Sequence, residues 1–289
     1  GLRYLKDLQK MGALGPGKEI DCDLPFDEFG SYEFAEDLMR RIAYREGIGD
    51  DLAEGFFRAA ERWGRLEEDT GTGLLPYPHW GVPVHYDPRF QIEWGYGSIL
   101  GDRDINEHGF NVLFWMPTAS KAMKKDPIVS AEEVARIYTD KMVPFQGDRL
   151  MLDFSAGNMY SEHIAKLVTW HRYYTRFWKQ SAQFCDWRWP DFLNLYGPGK
   201  VGSTGVAEPK FLTAVTGKNF TFLDGIELGR KIWNLDHAIW TLQGRHRDMV
   251  HFADFLYTQP SSSLDGTPEY LPVRENGKWQ YIRTLGRHF

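Results

Sequence analysis

The sequence contains only two cysteines, Cys22 and Cys185, in 289 residues. Two cysteines cannot build a disulfide scaffold, and with no signal-like N-terminus they predict a cytoplasmic protein. No apolar run approaches the roughly 18 residues of a membrane span, so no span is expected. The net charge of −6 argues against nucleic-acid binding, because that function needs a basic surface.

Sequence motifs of several common enzyme classes are also missing. There is no HExxH metal motif and no nucleophile elbow. Residues 197–204, GPGKVGST, have the composition of a phosphate loop but not its order, and residues 95–101 lack dinucleotide-binding spacing. Two distant cysteines cannot supply the four thiolates that an iron–sulfur cluster usually requires, so this chain alone cannot complete such a site.

Apolar residues make up 42% of the chain and aromatic residues 15%. This content is sufficient for one large or two ordinary domains with real cores. The aromatic excess fits either an aromatic-rich helical core or the walls of a site for a flat apolar ligand or a broad subunit interface. Both interpretations stay open at this point.

Hydrophobic periodicity predicts a mainly α protein. A helical hairpin is predicted over residues 31–64, with Ser31 as N-cap and a turn at Gly47 and Gly49. One face of its first helix carries Leu38, Ile42 and Ala43, and one face of its second helix carries Leu52, Phe56, Ala59, Ala60 and Trp63. Further helices are predicted over residues 2–11, 130–142, 161–179 and 222–243, with N-caps at Ser130 and Thr221 and a stop at Gly244.

Residues 70–110 are rich in glycine, proline and aromatic residues and show no sustained helical or strand period. Forty irregular residues in a compact domain need partners for their backbone polar groups, and such long loops are usually functional. The segment is therefore the predicted active-site loop.

Three blocks of sequence resemble one known family. They are residues 42–49 (IAYREGIG) with the LAEG and RAAE that follow, Tyr86–Arg89 followed by Gly95–Tyr96, and residues 229–235 (GRKIWNL). Together, and in this order, they are similar to the tungsten-dependent aldehyde:ferredoxin oxidoreductase family. The resemblance implies the two helical C-terminal domains of that fold, with the N-terminal β domain absent from this chain. We expect a helical domain over residues 1–145 with the active-site loop, and a C-terminal helical domain over residues 146–289.

The resemblance also implies cofactor-binding residues. Residues 180–185 stand where the family has a pterin-binding D-x-x-G-L-C segment, with Phe184 at the Leu position and Cys185 retained. Cys185 would be the last ligand of a [4Fe-4S] cluster, the other three coming from upstream of this chain. Without the resemblance, a lone cysteine usually indicates a small buried apolar residue. Gly1 and Leu2 resemble the tail of an earlier D-x-x-G-L pterin motif.

His108 lies near the place of a family active-site histidine that follows the Gly-Tyr stretch. Beside Glu107, its imidazole could donate a proton near neutral pH. The alternative is a surface or structural histidine. We expect His108 and Glu107 to be catalytic.

The implied cofactors are tungsten held by two pterins and a [4Fe-4S] cluster, with Mg²⁺ as a further candidate. Residues 22–26, 93–108 and 185–187 look most similar to the tungsten subunit of class II benzoyl-CoA reductases. That similarity implies ATP-independent reduction of the ring of benzoyl-CoA or a related aryl-CoA. Alternatives are aldehyde oxidation and a cofactor-free scaffold subunit. The expected partners are an iron–sulfur electron-transfer subunit or ferredoxin, within an oligomer.

Overall fold

The computed structural model describes residues 1–75, 96–97, 100, 129–185, 188–249 and 269–284. They form two compact units, of which the first contains residues 1–75 and the second contains the other described residues. Helices dominate both units, which confirms the predicted mainly α class. Among the described helices, none combines the length and the apolar character that crossing a membrane would take.

The first unit packs short helices around an apolar core. Its helices and strands are α1 (Leu2–Lys10), β1 (Leu14–Gly15), β2 (Ile20–Asp21), α2 (Tyr32–Tyr44), α3 (Ile48–Ala53), α4 (Phe56–Arg62) and α5 (Leu66–Gly71). A 3-10 turn spans Phe26–Glu28, and β1 pairs with β2 in parallel. The core is built from apolar side chains that include Leu5, Leu8, Phe34, Leu38, Leu52 and Ala59.

The predicted helical hairpin is present, but its second helix is interrupted. α2 starts as predicted, because the Ser31 side chain accepts a hydrogen bond of 3.0 Å from the Phe34 amide. The predicted second helix divides into α3 and α4 at Gly55, whose φ of +91° is incompatible with a continuous helix. Gly49 lies inside α3 rather than in the turn. It approaches α2 closely, because an added Cβ would lie 2.2 Å from the Arg41 carbonyl oxygen. Ala43, predicted on the packed face, is exposed.

A buried ion pair links the ends of the first unit. The Arg65 guanidinium donates to both carboxylate oxygens of Asp69, at 3.0 and 2.8 Å, and the Tyr4 hydroxyl donates to Asp69 at 2.5 Å. Burial, with the Asp69 carboxylate next, raises the pKa of Tyr4 far above its usual value, so the phenol remains a donor. The network fixes α1 against α5.

The second unit contains further helices among its described residues. They are α6 (Ala131–Thr139), α7 (Glu162–Tyr174), α8 (Ala207–Thr216) and α9 (Phe222–Leu242), with 3-10 turns at Arg149–Leu152, Ala156–Asn158, Pro198–Lys200 and Arg247–Met249. Val134 and Ile137 of α6 share one core with Leu167 and Trp170 of α7. α6 therefore belongs to the second unit, although a boundary near residue 145 is predicted from the sequence.

The second unit also contains a β-hairpin that the helical pattern did not predict. Strands β3 (Glu269–Glu275) and β4 (Lys278–Thr284) pair antiparallel, with Glu275 opposite Lys278. Asn276 and Gly277 connect them with φ angles of +50° and +78°. This is the two-residue turn that an Asn-Gly sequence favours, so the Asn-Gly pair was the local signal for it.

Candidate metal-ligand site

The candidate site begins where α7 changes its hydrogen-bonding period. Thr175–Lys179 continue α7 as a π-helical turn, and the Gln180 amide donates to the Thr175 carbonyl at 2.9 Å. Turns of this kind are rare and frequently occur at functional sites. The turn ends directly before residues 180–185, which we call the Cys185 turn.

The backbone of the Cys185 turn is left-handed at Gln183, with a φ of +64°. L-residues with a side chain adopt this conformation at a cost, and glycine adopts it freely. Gln183 is the residue that stands at the glycine position of the family's D-x-x-G-L-C segment. The left-handed residue of the turn is thus at the position where the family segment has glycine, and this chain has glutamine there.

Phe184 anchors the Cys185 turn in an aromatic cluster. Its ring lies edge-on to Trp178 and Trp189, with centroid distances of 5.8 and 5.2 Å, and its amide donates to the Trp178 carbonyl at 3.1 Å. The next residue, Cys185, is exposed, and its carbonyl oxygen accepts the amides of Arg188 and Trp189. An ordered backbone therefore presents an accessible thiol. Since the Phe184 side chain is used in packing, a role in cofactor binding stays a prediction.

Buried basic side chains precede the turn. His171, Arg172, Arg176 and Lys179 are each at most 5% exposed. Burial, with the Lys179 charge next, lowers the pKa of His171 to about 3. His171 is therefore neutral at physiological pH, and the guanidinium groups of Arg172 and Arg176 keep a positive charge in this region.

Helix α9 approaches α7 and the π turn through two glycines. A Cβ added to Gly229 would lie 1.8 Å from the Tyr173 carbonyl oxygen, and one added to Gly225 would lie 2.3 Å from the Trp178 ring. This close approach brings Trp233 under Arg172 and Arg176, whose guanidinium carbons lie 5.1 and 5.0 Å from the ring centroid. The family-like block 229–235 and the Cys185 turn are thus joined through Arg176, which also donates to Gln180.

The other predicted site residues lie either in the first unit or outside the described residues. Gly1 and Leu2 lie in the first unit, where Gly1 caps α1 and Leu2 is 47% exposed. His108 and Glu107 lie outside the described residues, as does most of the predicted active-site loop. In the part of the chain that is described, no three His, Cys, Asp or Glu side chains converge to hold a metal ion. Cys185 is therefore a single candidate ligand there, not a complete site.

Comparison with known proteins defines the class to which this arrangement belongs. Residues 5–271 match the family described as aldehyde ferredoxin oxidoreductase, domains 2 & 3. The match covers most of the sequence, and the chain belongs to this family. The resemblance to the aldehyde:ferredoxin oxidoreductase family is confirmed, whereas the similarity to benzoyl-CoA reductases stays a prediction.

Individual relatives are tungsten-containing aldehyde ferredoxin oxidoreductases. The protein of Pyrococcus furiosus is 24% identical over 214 residues, covering 74% of this chain and 27% of the relative. The protein of Thermococcus kodakarensis is 35% identical over 81 residues, covering 28% of this chain and 12% of the relative. The chain thus matches about a quarter or less of the length of these relatives. No solved structure matches it.

The left-handed Gln183 gives a direct stability test. Gln183→Gly should stabilise the protein by about 0.5–1 kcal/mol, because glycine removes the left-handed strain and gives up only an exposed hydrogen bond. Gln183→Ala is the control, since it loses the same hydrogen bond but keeps the strain. Thermal unfolding of the three proteins measures the difference. Equal midpoints for the two variants would contradict the left-handed turn.

Proposed function

We propose that this chain is part of a tungsten-dependent oxidoreductase whose tungsten is held by two pterins beside a [4Fe-4S] cluster. The family match over residues 5–271 carries the proposal. The family's relatives that match are named as tungsten-containing enzymes. Support from the described residues comes from the Cys185 turn, whose left-handed residue Gln183 stands at the glycine position of the family segment.

The donor chemistry of the described residues fits one corner of a cluster site. Thiolates are the ligands that iron–sulfur clusters use, and Cys185 is an exposed free thiol on a turn fixed by backbone hydrogen bonds. Cys22, the other cysteine, is buried, and burial raises the pKa of its thiol. We therefore assign Cys185 as one ligand, with three further ligands supplied from outside the described residues.

The proposed substrate is benzoyl-CoA or a related aryl-CoA. Addition of two electrons and two protons to its aromatic ring yields a cyclic dienoyl-CoA, without ATP. When bound, the tungsten–pterin group supplies the two-electron redox chemistry and the cluster relays electrons. His108 donates one of the two protons to the ring, and the adjacent Glu107 carboxylate raises the pKa of the imidazole so that it can act as the acid. The similarity of residues 93–108 to the benzoyl-CoA reductase subunit supports this substrate.

Aldehyde oxidation is the second candidate, and the names of the matching relatives favour it. In that reaction an aldehyde and water give a carboxylic acid, two electrons and two protons. A ferredoxin would take the electrons, whereas ring reduction would draw them from an iron–sulfur electron-transfer subunit. Both reactions place this chain in a larger assembly with an electron-transfer partner.

Metal analysis and two assays test the proposal on the intact purified protein. We expect tungsten together with about four iron atoms for each copy of Cys185. Anaerobic assays would then compare benzoyl-CoA with a reduced dye against benzaldehyde with an oxidised dye. Turnover of benzoyl-CoA alone supports ring reduction, and turnover of benzaldehyde alone supports the second candidate. Absence of both metals would contradict the proposal and indicate a scaffold subunit.

A further inference from the structure

We propose that Arg176 is the positioning residue of the Cys185 turn. The inference rests on the proposed function only where it concerns the cluster. Arg176 lies on the π turn and is 5% exposed. It joins three parts of the second unit, namely the π turn, α9 and the Cys185 turn.

Two contacts connect Arg176 directly with the turn. Its Nη1 donates to the side-chain oxygen of Gln180 at 2.7 Å, and its carbonyl oxygen accepts the Ser181 hydroxyl at 2.8 Å. Gln180 in turn accepts, through its carbonyl oxygen, the side-chain amide of Gln183 at 3.2 Å. Arg176 therefore holds the start of the segment whose last residue is Cys185.

The same guanidinium is fixed from the other side by α9. Its Nε lies 3.0 Å from Oδ2 of Asp236, and its carbon lies 5.0 Å from the Trp233 centroid and 5.8 Å from the Trp240 centroid. Asp236 follows Trp233 by three residues, so both lie on one face of α9. The carboxylate and the rings define the position and plane of the guanidinium group whose Nη1 donates to Gln180.

This set of contacts requires arginine rather than a positive charge alone. A planar guanidinium can stack on a ring while its separate N–H groups donate in different directions, whereas the lysine ammonium is a compact point charge. A lysine at position 176 could approach Asp236 or Gln180 but would not reproduce the stacking on Trp233. The geometry thus predicts that Arg176→Lys loosens the turn although it conserves the charge.

The first experiment measures iron release from the intact protein to a chelator, with EPR of the reduced cluster. Arg176→Lys should release iron about tenfold faster and alter the EPR line shape, because loss of a group that orients a metal ligand typically costs about 10–100-fold in metal affinity. Arg172→Lys is the matched control, since Arg172 lies one turn earlier and stacks on the same ring. It should release iron within about twofold of the parent rate.

A second pair of variants changes the turn without touching α9. Gln180→Leu removes the acceptor and should accelerate iron release like Arg176→Lys. Gln180→Glu makes the hydrogen bond charge-assisted and should slow iron release below the parent rate. Thermal midpoints are recorded for all variants. If iron release follows the midpoints in every variant, including Arg172→Lys, Arg176 is merely structural and the inference is wrong.

Amide hydrogen exchange separates this inference from the proposed function. The Phe184 amide donates to Trp178 and the Trp189 amide donates to Cys185, so both report on the turn without any metal. In metal-stripped protein, Arg176→Lys should reduce their protection about tenfold, the effect of losing one hydrogen bond to a charged group. Arg172→Lys should leave the protection of both amides unchanged. Equal protection in both variants would overturn the inference, whereas a parent protein without iron would overturn only the cluster assignment.

Discussion

Replacing Cys185 with alanine is expected to abolish the iron–sulfur cluster of the intact protein while the helical fold survives. Alanine removes one of the thiolates that hold the iron, and a cluster with an open corner is lost or degraded. The fold should change by less than about 0.5 kcal/mol, because the Cys185 side chain is exposed. Iron content and the low-temperature EPR signal of the reduced protein measure the loss.

Cys22→Ala is the matched control for this experiment. Cys22 is 3% exposed in the core of the first unit, and burial raises the pKa of its thiol. Its truncation should lower the free energy of unfolding by about 1 kcal/mol and leave the iron content unchanged. An intact cluster in Cys185→Ala would instead assign Cys185 a purely structural role and remove the main residue-level support for the proposed function.

The starts of the long helices could be predicted because the determinants are local. Ser130 and Ser161 accept hydrogen bonds from the amides three residues later, as expected of N-caps. Thr221 and Asp224 form the reciprocal capping box, and α9 ends before Gly244, whose φ is +94°. Each of these signals lies within a few residues of the boundary that it sets.

Errors arose where local signals competed. The apolar period continues across Gly55, so periodicity favoured one helix, whereas the backbone at Gly55 divides it. At the other end of the chain, the Asn-Gly pair at 276–277 signals the hairpin, whereas helical periodicity carries no information about it. In both cases one or two turn residues were more informative than the apolar periodicity of the residues around them.

The candidate site was only partly predictable. The resemblance implies roles for Cys185 and Phe184 that stay predictions, and the structure shows Phe184 packed in the aromatic cluster with Cys185 exposed beside it. Arg176 could not be found from the sequence, because its contact with Asp236 joins residues 60 positions apart. The π turn also changes the helical register that periodicity assumes. The roles of His108 and Glu107 stay predictions.

The block 229–235 begins with glycine because α9 packs too closely against α7 at this position to leave room for a side chain. Gly229→Ala is expected to lower the free energy of unfolding by about 2–4 kcal/mol, although alanine favours a helix over glycine by about 1 kcal/mol. The new Cβ would lie 1.8 Å from the Tyr173 carbonyl oxygen, and backbone atoms cannot rotate aside as a side chain can. α9 would have to move away from α7, and the core contacts between them would loosen together. Thermal or denaturant unfolding of the second unit measures the loss.

Gly157→Ala is the control for this prediction. Gly157 lies in a 3-10 turn of the same unit, and a Cβ added there would meet no atom within 4 Å. Its substitution should change the free energy of unfolding by at most about 0.5 kcal/mol. Because Arg176 is held by Trp233 and Asp236 of α9, Gly229→Ala should also accelerate iron release, and Gly157→Ala should not. A Gly229→Ala protein as stable as Gly157→Ala would mean that α9 and α7 do not approach through Gly229, and the support of the Cys185 turn by α9 would fail with it.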